Sequence, residues 1–299
     1  MPGIHSDITT AFGQTPLVRL NALTEGLHAE VLAKLEFYNP GSSVKDRLGF
    51  ALVEAAEASG ELQPGGTIVE STSGNTGISL ALIGAARGYK VILTMPASMS
   101  KERRTLLKAY GAELVLTDLY KGMTEAVETA QRIAAETPGA VLARQFESAA
   151  NAAIHRRTTA EEILRDTDGQ LDWFVAGSGT GGTVTGVGQV LHERLPGVKV
   201  ALVEPKDSPV LTEGRAGGHR IQGIGPNFVP DVLDRSVVDE IFDVEFDDAI
   251  RVARAVWAAL QIAARPESAG QRIVVIVPDS GERYLSTALY AHLQEEPAK

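Results

Sequence analysis

With 299 residues the chain is near the limit for one hydrophobic core, so one large domain or two smaller ones are expected. A net charge of −10 argues against nucleic acid or an anionic membrane as the main partner, and 44% hydrophobic with 22% charged residues is the balance of an ordinary globular protein. The absence of cysteine excludes a disulfide framework, a thiolate nucleophile and a cysteine metal site.

The chain begins "MPGIHSDITTAFG", without the basic and apolar regions of a signal peptide, and no run approaches a membrane-spanning helix. The expected location is the cytoplasm. Short apolar runs then follow one another at intervals: "EVLAKLEF" (30–37), "TIVES" (67–71), "KVILTMP" (90–96), "ELVLTD" (113–118), "AVLARQ" (140–145), "WFVAG" (173–177), "KVALVEP" (199–205) and "RIVVIVPD" (272–279). Between most of them lie segments with apolar spacing near 3.6, such as "VKDRLGFALVEAAEAS" and "TEAVETAQRIAAE". Strands alternating with helices predict an α/β fold of open, twisted, mainly parallel sheets with helices on both faces. A crossing between two domains is expected near 138–153.

In such sheets ligands bind beyond the carboxyl ends of the strands, so the loops there carry the chemistry. In "NPGSSVKDR" (39–47), Lys45 falls where a helix begins. A cation there opposes the helix macrodipole, which favours the neutral amine. The plainer reading, a solvated surface lysine, is the base-rate one. In "STSGNTG" (71–77) small residues allow close approach, and the helix that follows would present open N–H groups to an anion such as a carboxylate. The plainer reading is an ordinary N-cap at Ser73 or Asn75.

In "GSGTGGT" (177–183) consecutive glycines at a strand-to-helix turn form an anion nest. Gly177, Gly179 and Gly182 also fit G-x-G-x-x-G, and Glu204 ends the next strand where a dinucleotide fold places its ribose-binding acid. A dinucleotide oxidoreductase is therefore the rival reading. It leaves the lysine loop and the hydroxyl-and-amide loop without a task. An enzyme using pyridoxal 5'-phosphate needs all three: an amine for the aldehyde, a phosphate cradle and a carboxylate pocket.

Several segments together resemble the O-acetylserine sulfhydrylases, or cysteine synthases, of the β-family (fold type II) of pyridoxal phosphate enzymes. They are "GQTPLVRL" (13–20), "AKLEFYNPGSSVKDR" (33–47), "TSGNTG" (72–77), "GTGGT" (179–183), "VEPKDSPVL" (203–211), "IQGIG" (221–225) and "VPDSGERYLST" (277–287). The resemblance implies two sheets with the cofactor between them. It implies a smaller domain, 40–147, that moves on substrate binding, and a larger one made of 13–37 plus 148–293. Lys45 matches the lysine that carries the cofactor and Asn75 the partner of its ring hydroxyl. Gly179, Thr180, Gly181, Gly182 and Thr183 match the phosphate loop. Thr72, Ser73, Thr76 and Gln145 match the site for the substrate carboxylate, and Gly223 a loop lining the cleft. The implied reaction replaces the β-substituent of O-acetyl-L-serine with sulfide to give L-cysteine, in a homodimer. A cystathionine β-synthase-like reaction is the near alternative. Some relatives bind the C-terminal tail of serine acetyltransferase in the same cleft, so a binding module without catalysis is a third reading.

No metal is expected, because the 6 histidines lack ligand spacing, and His155 reads as a structural hydrogen-bonder. The "KERR" cluster (101–104) reads as a solvated face. The chain departs from the family after Arg254, where "RVAR" runs straight into "AVWAALQ". About fifteen residues are absent, enough for a strand and a turn, including the serine that meets the cofactor's ring nitrogen in the family. The expectation from this junction is one continuous helix from about Asp247 to Ala264 and impaired catalysis.

Overall fold

The computed structural model describes residues 3–72, 74–287 and 290. In chain order the strands are β1 (Leu17–Arg19), β2 (Glu30–Leu35), β3 (Thr67–Ser71), β4 (Lys90–Pro96), β5 (Glu113–Thr117), β6 (Ala140–Leu142), β7 (Trp173–Gly177), β8 (Lys199–Pro205), β9 (Glu240–Val244) and β10 (Arg272–Val277). The helices are α1 (Lys45–Ser59), α2 (Asn75–Arg87), α3 (Lys101–Ala109), α4 (Gly122–Glu136), α5 (Ala150–Ile154), α6 (Ala160–Asp166), α7 (Gly182–Arg194), α8 (Phe246–Val252) and α9 (Arg254–Ala263). A π-helical stretch, His155–Thr159, joins α5 to α6.

Two sheets result. A 6-stranded sheet has the order β1-β2-β10-β7-β8-β9, and a 4-stranded sheet the order β5-β4-β3-β6. The second is all parallel; in the first, β1 is antiparallel to β2 and the other pairs are parallel. The first strands of the chain thus join the sheet built from its second half. The chain passes from one sheet to the other between β6 and β7.

The interior strands are continuous apolar runs because both faces are covered. On one face Val175 and Val275 pack with Ala258, Ala259 and Ile262 of α9; on the other Phe174, Leu202 and Val274 pack with Val187 and Leu191 of α7. Two strands beyond those expected, β1 and β9, are the edges of the larger sheet. Each has one strand neighbour and is mostly half-exposed or exposed, so neither carries an unbroken apolar signal.

The junction after β9 departs from expectation. Helix α8 ends at Val252, Ala253 adopts φ 61°, and α9 starts at Arg254. The continuous helix is therefore broken. The cause is packing: α8 buries no residue, whereas α9 buries Ala255, Val256, Ala258, Ala259, Ile262 and Ala263 against the larger sheet. One straight rod cannot follow both the surface and the sheet. Arg254 and Ala255 lie together in the first turn of α9, where Trp257 N donates to Ala253 O at 3.0 Å.

Candidate active site

Lys45 is the first residue of α1. Ser42, at φ 59°, turns the chain into the helix, and Ser43 Oγ accepts from Lys45 N at 3.2 Å. Val44 N donates to Pro278 O at 2.8 Å, which ties this turn to the end of β10. The first turn of α1 is held from below by a buried ion cluster. Arg47 donates to both oxygens of Glu36 and both of Glu162, at 2.6–2.9 Å, and Lys34 Nζ lies 2.8 Å from Glu162. Thr15 completes it by donating to Glu36 at 2.7 Å. Burial alone would raise the Glu162 carboxyl, but hydrogen bonds and charge from Arg47, with Lys34, hold it at about 2. Removing one member would strand a buried charge, which makes the cluster a rigid base for Lys45.

Burial is the largest influence on the Lys45 amine and lowers it to about 8; Asp279 opposes the shift and Arg254 adds to it. Taken as a whole residue Lys45 is half-buried, and its amine is surrounded by protein. Burial thus does most of what the sequence assigned to the helix terminus.

The turn between β7 and α7 forms the glycine cradle. Gly181 is left-handed at φ 85°, and a Cβ there would lie 2.7 Å from Leu233 Cβ. A Cβ on Gly182 would overlap Asn151 Oδ1. A Cβ on Gly179 would sit 3.1 Å from Gly223 O and 3.9 Å from Lys45 Nζ, so the cradle, the amine and the loop at Gly223 meet at one point. Helix α7 begins here without a side-chain cap, leaving first-turn N–H groups open to an anion. Thr180 Oγ1 accepts from Asn151 Nδ2 at 2.9 Å, and Thr183 Oγ1 lies 3.1 Å from His155 Nε2. His155 is buried and held neutral, its pKa pushed well below the ordinary value first by burial and then by the charges of Arg47 and Lys45. Its structural reading holds.

The second turn, between β3 and α2, is built differently. Its N-cap is Gly74, which offers no side chain, so the ordinary capping reading fails for Asn75, the first helical residue. Asn75 Nδ2 instead donates to Asp279 Oδ2 at 2.6 Å, and Tyr284 Oη donates to the same oxygen. Thr72 and Thr76 are buried, and Thr76 Oγ1 donates to Gln145 Oε1 at 2.7 Å. Arg144, at φ 53°, turns the backbone just before Gln145. Ser73 lies outside the described residues. Beneath this turn Glu70 is buried and raised to about 7, chiefly by burial.

Three readings change at this site. Glu204, the rival ribose ligand, spends both oxygens inside the fold: Oε2 accepts from Leu211 N and Oε1 from Thr212 N, each at 2.9 Å. The "KERR" cluster is not wholly solvated, because Arg103 donates to Gln222 at 2.7 Å beside Gly223 and lies 5.9 Å from the Tyr284 ring. Asn151 was not singled out in the sequence, yet it is buried and donates to Gln145 O as well as to Thr180, both at 2.9 Å. Only its place in "ANAAIH", between two ligand loops, hinted at it. Among the described residues no cluster is arranged to hold a metal ion.

A lysine amine lowered into the physiological range, a glycine cradle for an anion and a hydroxyl-lined pocket beside them define a class that uses an aldehyde cofactor bearing a phosphate. The donors present fit it: open N–H groups for phosphate, the Lys45 amine for the aldehyde and the Asn75 amide for the ring hydroxyl. The chain belongs to the pyridoxal-phosphate dependent enzymes, whose family model matches residues 8–279. It is 44% identical over 302 aligned residues to a cysteine synthase of Staphylococcus aureus strain N315, covering 95% of this chain and 97% of that one. An alignment longer than the 299-residue chain carries gaps in this chain. Among solved structures, a cysteine synthase from Entamoeba histolytica superposes with a TM-score of 0.94 at 44% identity, covering 99% of this chain and 93% of that one. An O-ureido-L-serine synthase superposes with a TM-score of 0.93 at 42% identity, covering 99% and 98%.

Proposed function

We propose that this protein makes L-cysteine from O-acetyl-L-serine and sulfide by pyridoxal 5'-phosphate-dependent β-replacement. The observation that carries this reading is Lys45, an amine lowered to about 8 at the point where the glycine cradle and the Gly223 loop converge. The cofactor, when bound, supplies an electron sink for the α-carbon. The chain supplies the rest. The open first turn of α7 and Gly179, Thr180, Gly181, Gly182 and Thr183 hold the phosphate. Thr72, Ser73, Thr76 and Gln145, with the N-terminus of α2, hold the substrate carboxylate and aim the α-carbon at Lys45. An amine that titrates near 8 is partly neutral at cellular pH and can take the α-proton, then return it to the product. Movement of the smaller domain, 40–147, over the larger one would exclude water during these steps.

The intact lysine, cradle and carboxylate pocket support a working enzyme over a binding module. The resemblance also supports a homodimer in the cytoplasm and docking of a serine acetyltransferase C-terminal tail in the same cleft. The test is to add pyridoxal phosphate to the purified protein, record visible absorbance and measure cysteine from O-acetyl-L-serine and sulfide. Homocysteine, offered in place of sulfide, separates the cystathionine β-synthase-like alternative. Absence of both cofactor absorbance and cysteine would overturn the proposal.

A further inference from the structure

Arg254 is oddly placed. It opens α9, where a cation opposes the helix macrodipole, and the chain reaches it through the uncommon φ 61° of Ala253. Its guanidinium enters the cleft between two glycines. Nη2 lies 3.2 Å from where a Cβ on Gly223 would stand, and Nε 3.8 Å from the same point on Gly177. Gly223 is the residue whose carbonyl faces Gly179 and, through it, Lys45. The charge of Arg254 reaches Lys45 and Tyr284 from this position. The neighbouring carboxylate, Asp279, is already engaged by Asn75 and Tyr284. Among the described residues the Arg254 side chain has no hydrogen-bond or ion-pair partner, whereas its backbone belongs to α9.

A pyridoxal ring presents four polar groups. The cradle accounts for the phosphate, Lys45 for the aldehyde carbon and Asn75 for the ring hydroxyl. In pyridoxal the ring nitrogen is para to the carbon that bears the aldehyde, so a ring held at the aldehyde by Lys45 would present its nitrogen at the opposite end; the Arg254 guanidinium lies in the same cleft, beside Gly177 and Gly223. We propose that Arg254 donates a hydrogen bond to the ring nitrogen of the bound cofactor and so keeps that nitrogen unprotonated. A guanidinium has donors and no acceptor, and it does not give up its proton. A protonated ring nitrogen would therefore meet it as a second cation. The kink at Ala253 is what turns the arginine toward Gly177 and Gly223. The proposal rests on the cofactor reading above but not on the choice of substrates.

The experiment is 15N NMR of the protein reconstituted with ring-15N pyridoxal phosphate, together with the rate of cofactor loss on dilution. Neither readout needs cysteine formation, so this inference and the cysteine reading can fail separately. The wild type should show an unprotonated, hydrogen-bonded pyridine nitrogen. Arg254→Ala should shift that signal and hasten cofactor loss about tenfold, the scale of one lost hydrogen bond to a charged group. Arg254→Gln, which keeps a donor without the charge, should restore most of the retention. If Arg254→Ala does not fold, the signal of Arg254→Gln decides: a hydrogen-bonded, unprotonated nitrogen upholds the proposal. A protonated nitrogen in the wild type would overturn it and point to Asp279. So would an Arg254→Ala protein with wild-type signal and retention.

Discussion

The two strand-to-helix turns beside Lys45 are built by opposite means. After β7, the turn leading into α7 is rich in glycine, and Leu233 and Asn151 press where side chains on Gly181 and Gly182 would be. After β3, the turn leading into α2 carries Thr72, Asn75 and Thr76, and a Cβ on Gly74 would meet no described atom within 4 Å. The first turn offers mainly backbone N–H groups, with the Thr180 and Thr183 hydroxyls already paired to Asn151 and His155, in a nest that suits an anion with several oxygens. The second adds hydroxyls and an amide in fixed directions, which suits a planar carboxylate. Even the penultimate strand residues differ: Ala176 under the first turn, the buried Glu70 under the second.

The severest test removes what both turns serve. Lys45→Ala should abolish the visible absorbance of bound cofactor and lower cysteine formation by about 10²–10⁴-fold or more, the range for losing a general base. A variant that keeps both signals would show that the turns are organised around something else. Next, Gly182→Ala should destabilise the protein by about 1–3 kcal/mol, the usual range for overpacking, and lose the cofactor. Gly74→Ala, in an extended backbone open to solvent, should change the melting temperature and cofactor absorbance little. Equal losses in thermal melts would erase the contrast between the turns.

Smaller effects sharpen the comparison. Thr72→Ala, Thr76→Ala or Gln145→Ala should raise KM for the amino acid about five- to tenfold, as for one lost hydrogen bond, with cofactor absorbance unchanged. Loss of the cofactor instead would mean that the roles of the turns are mixed. For the cofactor-free protein, reaction of Lys45 with an amine reagent should rise with pH and reach its midpoint near 8, the value at which the buried amine loses its proton.

The mildest effect concerns Glu70. Its carboxyl is raised from 4.5 to about 7, so it binds a proton more tightly folded than unfolded. Its contribution to stability is full below pH 4.5 and fades as pH rises through 7. Glu70→Gln should flatten that stretch of the stability–pH curve, read by chemical denaturation.

The sequence by itself determined much of this protein. Interior strands such as "TIVES", "WFVAG" and "KVALVEP" coincide with β3, β7 and β8 because a strand covered on both faces carries an apolar run at its centre. The glycines of 179–182 were legible for a related reason, since only glycine satisfies such close contacts whatever the surrounding fold. Lys45 was legible from its place at a helix start. What only the tertiary structure decided depends on distant neighbours. The edge strands β1 and β9 lack an apolar code because one side has no strand to meet. Glu204 looked like a ribose ligand until loop 211–212 closed over it. Asn151 joins Gln145 to Thr180 through a side chain that no local pattern distinguishes. At Ala253 helix propensity favoured a continuous rod. Burial of the α9 face against the larger sheet outweighed it, and the kink turned Arg254 into the cleft, because packing a whole apolar face yields more free energy than one residue's backbone preference opposes.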